Sequence, residues 1–167
     1  MKFIFKFNAL FIFLFIISCS TSPENKVPDV IGNESRVRLV TGSEAVKSIN
    51  HLHGLDVATT QNYIAYYGAE EEDILYITSY DSPEKAADDF KKMIDKMSVN
   101  EDSPFYHLMP LSSYDDNVYM TIGMGAIHYI YLSGKNVLWL QTMQSFGMEL
   151  PENLLALHPM QALVKDE

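Results

Sequence analysis

The fold class that this sequence predicts is α+β: one mainly antiparallel β-sheet with helices packed on one face, a two-layer sandwich. Three observations predict it. Two segments carry apolar residues at helical spacing, and both begin with capping signals. Six runs of aromatic and aliphatic residues have strand length, so strands outnumber helices. Most links between those runs are short enough for hairpins, which makes neighbouring strands antiparallel.

The elements follow in order over a single globular domain, residues 36–167. Thr41-Gly42-Ser43-Glu44 has the spacing of a capping box, and Ala45, Val46, Ile49 and Leu52 recur at helical spacing, with Gly54 as the stop. A first helix is predicted over 42–53. Asn62–Tyr67 and Ile74–Tyr80 read as a hairpin joined by the acidic link 68–73. Ser82 is a good N-cap and Pro83 suits the first helical position. Ala86, Ala87, Phe90, Met93, Ile94 and Met97 then form one stripe, predicting a helix over 83–98. Phe105–Leu111 is a strand interrupted by Pro110, and Asp115-Asp116-Asn117 is a turn. Val118–Met124, Ala126–Leu132 and Asn136–Met143 are three strands. Gly123 and Gly125 mark a bend between the first two, and Ser133-Gly134-Lys135 makes a tight hairpin between the last two. Both faces of the last two strands are largely apolar, as in strands covered on both sides. Pro151 opens a last helical stretch with Leu154, Leu155, Leu157 and Leu163, which Pro159 should break.

The N-terminus carries the clearest message. Lys2 and Lys6 precede Ala9–Ile17, nine uninterrupted apolar residues, followed by Ser18 and Cys19. A membrane-spanning helix takes about 20 apolar residues, so this segment reads as a removable signal. Ile16-Ile17-Ser18-Cys19 resembles the lipobox of bacterial lipoproteins. That resemblance implies cleavage of residues 1–18 and a diacylglyceryl group on the Cys19 sulfur, often with a further acyl chain on the new amino group. It implies a lipid-anchored, extracytoplasmic protein of the cell envelope. Ser20 lacks the aspartate that retains some lipoproteins at an inner membrane, which implies the outer membrane where the host has one. Cys19 is the sole cysteine, so no internal disulfide can form. Residues 19–35 are polar, with Pro23, Pro28 and Gly32, and read as a flexible tether.

Charge excludes one function class. The chain has 12 basic and 22 acidic residues, net −10; loss of Lys2 and Lys6 leaves 10 against 22, net −12. Nucleic-acid binding needs basic residues to neutralise phosphates, so no nucleic-acid partner is expected. A general basic patch for anionic lipid is not expected either.

The candidate chemistry is dispersed. His51 and His53, two apart on a helix, point about 200° apart and cannot share one metal from there. His128 lies in an apolar strand; with Met124 and Tyr129 it is the candidate lining of a ligand pocket, and His107 could pair with it across the sheet. The methionines, including Met120, Met124, Met143 and Met148, are spread rather than bunched as in copper carriers. Glu70–Asp73 and Asp115-Asp116-Asn117 lack calcium-loop spacing. Ten tyrosines, most of them in strands, pose the question of an exposed aromatic recognition face. No hydrolase, P-loop, dinucleotide or zinc-protease motif appears. The expectation is a non-enzymatic envelope binding domain without catalytic, metal or cofactor residues, its partner another envelope protein. The alternative is a carrier of a small ligand or metal.

Overall fold

In a computed structural model of the chain the described residues are 26–53, 59, 61–100, 103–143 and 149–161. Cys19, the signal segment, Gly54 and Leu163 lie outside them. The described part contains one antiparallel sheet of eight strands, curled into a half-barrel, and three α-helices. The strands are β1 (Val30–Ile31), β2 (Glu34–Thr41), β3 (Gln61–Tyr67), β4 (Asp73–Ser79), β5 (Phe105–Pro110), β6 (Val118–Gly123), β7 (Ala126–Ser133) and β8 (Asn136–Thr142). The helices are α1 (Gly42–His53), α2 (Pro83–Val99) and α3 (Glu152–Leu157).

Strand order is β1-β2-β3-β4-β8-β7-β6-β5. The α2 segment carries the chain from β4 to the far edge, and the meander β5 to β8 returns until β8 pairs with β4. Ile74 lies opposite Gln141, Tyr76 opposite Trp139 and Thr78 opposite Val137. Alternation along paired strands then sorts the side chains onto two faces. Ile64, Tyr66, Tyr76, Trp139, His128 and Ile130 share one; Ala65, Leu75, Ile77, Leu138, Leu140, Tyr129 and Tyr131 share the other.

The first face holds α1 and α2. Ala45 and Ile49 of α1 pack with Val40 and Ile64, while Ala86, Phe90 and Ile94 of α2 pack with Ile130, Leu132 and Val137. The start of α2 is as the sequence predicts: the Lys85 backbone N–H donates to Ser82 Oγ at 3.3 Å, and Pro83 sits in the first turn. One hairpin turn also follows local chemistry. Met124 and Gly125 both take positive φ, 51° and 80°, as a two-residue hairpin turn between β6 and β7 demands.

Two expectations need correction. The helices do not form one layer: Leu154 of α3 belongs to the opposite face, packed with Leu75, Ile77, Tyr131 and Leu138. The expected tether is also too long. Val27 and Ile31 are 2% and 0% exposed and join that same opposite core. The Tyr67 hydroxyl donates to Pro28 O at 2.8 Å, and Arg36 reaches back to Val27 O at 3.2 Å and Asp29 at 2.7 Å. A polar, proline-containing segment read as linker is therefore held by the tyrosine and arginine of neighbouring strands. The C-terminal part closes the same face: His158 Nε2 lies 2.7 Å from Lys26 O, and the Tyr131 hydroxyl donates to His158 O at 3.3 Å.

Candidate functional site

The two larger helices leave a gap over the middle of the sheet. With α1 over β2 and β3, and α2 over β7 and the start of β8, the facing side chains of β4 and those of Trp139 and Gln141 in β8 stay only partly buried although their strands are central. The result is an open groove of about 930 Å³. Its floor is Tyr76, Thr78, Val137, Trp139 and Gln141; Ile49 borders one side, and Lys85, Asp89, Phe90, Lys92, Met93 and Lys96 of α2 border the other. Pro104, Phe105, Met124 and His128 close one end.

That end is organised by His128. The Trp139 Nε1–H donates to His128 Nδ1 at 2.9 Å, so Nδ1 carries no proton. The neutral ring holds its proton on Nε2, which donates to Gly123 O at 3.0 Å. Both ring nitrogens are thus engaged, and burial pushes the imidazole pKa down. Protonation at Nδ1 would set an N–H against the indole N–H. The Phe105 ring stands edge-on to both, with centroids 5.0 Å from His128 and 5.1 Å from Trp139. Gly123 makes this possible: a Cβ there would sit 2.6 Å from Phe105 Cδ1 and 2.6 Å from Pro104 O.

The wall is ionic but mostly self-neutralised. Lys85 pairs with Asp89, and Lys92 pairs with Asp88 at 2.5 Å. The Lys92 ammonium lowers the Asp88 pKa. Lys96 has no ion-pair partner among the described residues. Burial raises the phenol pKa of Tyr76 and of Tyr80 to about 12, so both stay neutral donors.

Of the residues anticipated from sequence, His128 and Met124 line the groove, and Tyr129 does not. Tyr129 is wholly buried on the opposite face, among Leu140, Met120 and their neighbours. Alternation within β7 already separates it from His128 by one residue. His107 sits exposed at the bulge of β5 with φ 58° and does not meet His128. The tyrosines form no common exposed face: Tyr67, Tyr129 and Tyr131 are core, and Tyr66 stacks under Arg38, 3.5 Å from its ring centroid. Glu71 is held by Arg38 at 2.8 and 2.5 Å, leaving Glu70 and Glu72 at the hairpin tip. Among the described residues no three His, Cys, Asp or Glu side chains converge as a metal site, and no helix is long and apolar enough to cross a membrane. Sequence reasoning passed over Trp139 and Phe105, because nothing in their local pattern tells a covered strand face from an uncovered one, and over Lys96, whose place beside the groove depends on where α2 comes to rest; Tyr76 entered only among the tyrosines of a candidate recognition face.

No protein-family model matches the chain, and no curated protein and no solved structure shows significant similarity to it.

Proposed function

We propose that this chain is a lipid-anchored protein of the bacterial envelope whose domain binds rather than catalyses, and that the groove over β4 and β8 is its binding site. The observation that carries the reading is the groove itself: the middle of an eight-stranded sheet is left uncovered where an ordinary core would be closed. Its volume is near the upper end of the roughly 300–1,000 Å³ common for small-ligand sites. A mainly apolar floor with Tyr76, Trp139 and Phe105 suits an apolar body, and Lys96 supplies a free cation for an acidic group. The ligand class is a small, elongated organic acid. The membrane attachment rests on the lipobox at Cys19. Among the expectations this favours the small-ligand carrier over a flat protein–protein face, and His128, with both nitrogens bonded, is not a ready metal ligand.

Trp139 is the only tryptophan in the chain, so its fluorescence reports occupancy of the groove directly. Titration with dodecanoate is expected to give a saturable change, and dodecanol a binding at least several-fold weaker. Lys96→Gln should bring the two together. No saturable change with either probe refutes the groove as an apolar-acid site. A second reading has its own observation. At the edge strand β5, Tyr106 and Met109 are 54% and 40% exposed, which suits the envelope-protein partner through added strand pairing. Tyr106→Lys would then abolish capture of that partner without altering Trp139 titrations.

A further inference from the structure

Lys26, the first described residue, lines a second, smaller cavity. This cavity, of about 410 Å³, lies on the face opposite the groove, where Lys26, Ser133, Lys135, Asn136 and His158 surround it with Leu157 at the rim. No carboxylate lines it. Lys26 and Lys135 have no ion-pair partner among the described residues; Lys26 only approaches the Tyr63 ring, at 6.0 Å. Arg36, Arg38, Lys85 and Lys92, by contrast, are each paired with an acid. The Ser133 hydroxyl has no hydrogen-bond partner among the described residues. In a chain of net charge −10, two free ammonium groups, a hydroxyl and an amide around a carboxylate-free hollow are the donors that a phosphate ester takes.

We infer that this cavity receives the headgroup phosphate of a phospholipid in the membrane that holds Cys19, so that this end of the half-barrel faces the bilayer. The inference rests on the lipid-anchor reading. Chain length supports it. Val27 is locked in the core, and seven Cα steps separate its neighbour Lys26 from Cys19. Even fully extended, at 3.3–3.6 Å per residue, those steps reach about 25 Å. On the lipid-anchor reading, Lys26 at the cavity edge therefore stays within about 25 Å of the bilayer surface. Leu157, 40% exposed at its rim, gives an apolar contact at the headgroup boundary. Asp81 and Glu84 follow β4 at the same end, so the attraction is local to the cavity and not a general pull toward anionic lipid.

The test uses the full lipidated protein, in which the Cys19 sulfur is acylated and a newly introduced cysteine is the only free thiol. Leu157→Cys and Glu70→Cys, the latter at the exposed β3–β4 hairpin tip, each carry one fluorophore. In vesicles of phosphatidylethanolamine and phosphatidylglycerol with a headgroup quencher, the label at 157 is expected to be quenched several-fold more than the label at 70. Adding Lys26→Gln and Lys135→Gln should at least halve the difference while the protein stays with the vesicles. Inorganic phosphate that abolishes the difference in detergent-free vesicles supports the phosphate as the recognised group. Equal quenching, stronger quenching at 70, or no effect of the lysine changes overturns the cavity as a headgroup site while leaving the anchor intact. If Cys19→Ser sediments with vesicles as wild type does, the anchor reading fails and this inference falls with it.

Discussion

Gly123→Ala is the substitution whose cost the packing around β5 defines most closely. The added Cβ would lie 2.6 Å from Phe105 Cδ1, 2.6 Å from Pro104 O and 3.0 Å from Phe105 Cα. Ordinary carbon contacts begin near 3.5 Å, and two of these three partners are backbone, so rotation of a side chain cannot relieve the overlap. The strand β5 has to move off β6, and it sits at the sheet edge, where it can. Overpacking of this kind costs about 1–3 kcal/mol. At roughly 3 °C per kcal/mol for a domain of this size, the melting temperature should fall by about 3–9 °C. The movement also draws Phe105 away from Trp139 and His128, so the native tryptophan emission should shift toward that of an exposed indole. Gly125→Ala is the control. A Cβ there meets nothing within 4 Å, but φ is +80°, so the cost is backbone strain of about 1 kcal/mol without change in the native emission. Thermal melts followed by circular dichroism, with emission spectra of the folded proteins, separate the two. A Gly123→Ala protein that melts within a degree of wild type with an unshifted spectrum would refute the packing of Phe105 on the His128–Trp139 pair.

Three further outcomes follow from the same structure. Removing the N-cap by Ser82→Ala should cost about 1 kcal/mol, read as a lower urea midpoint with unchanged slope. Leu154→Ala, at a fully buried site, should cost about 2–5 kcal/mol and speed proteolysis of the C-terminal segment; unchanged proteolysis would mean that α3 does not seal its face. Burial lowers the pKa of both His128 and His158. Their stabilising effect is therefore complete above the ordinary histidine value of about 6.5 and is lost as pH falls through the lower folded values. Urea midpoints measured from about pH 7.5 down to about pH 5 should decline, with a flat profile counting against two buried neutral imidazoles.

Local signals located most of the elements. The α1 helix runs over 42–53 as its spacing predicts, α2 starts at Pro83 behind its Ser82 cap, and the four meander strands fall within a residue or two of their predicted limits. The strand β2 was invisible for a physical reason. Glu34–Thr41 shows no clean alternation of buried and exposed residues, and Val37 is 53% exposed. Its place depends on pairing with β3 and on Arg36 and Arg38 finding Asp29 and Glu71, partners that sequence spacing does not reveal. The site shows the same divide. Tyr76 and Trp139 were legible as strand residues, but their exposure depends on how far apart α1 and α2 come to rest, a tertiary quantity. For Tyr129 the signal was present: its neighbour His128 faces the groove, and one step along a strand reverses the face.

The two faces of the sheet also bear on how an anchored domain would work. One is stitched shut by both ends of the described chain: Pro28 under Tyr67, Lys26 under His158, and Leu154 in the core. The other is closed only at its margins by α1 and α2. Lys26, the first described residue, lies on the stitched side, and the groove opens on the unstitched one. Were the arrangement reversed, with the tether joining beside Trp139, a ligand would have to enter between the sheet and the bilayer. On the proposed lipid anchor, the interposed sheet would keep the Trp139 floor open to the aqueous side. A water-borne quencher such as iodide should therefore quench Trp139 about equally in vesicle-anchored and detergent-solubilised protein. Marked protection on anchoring would place the groove against the lipid and reverse this assignment of the two faces.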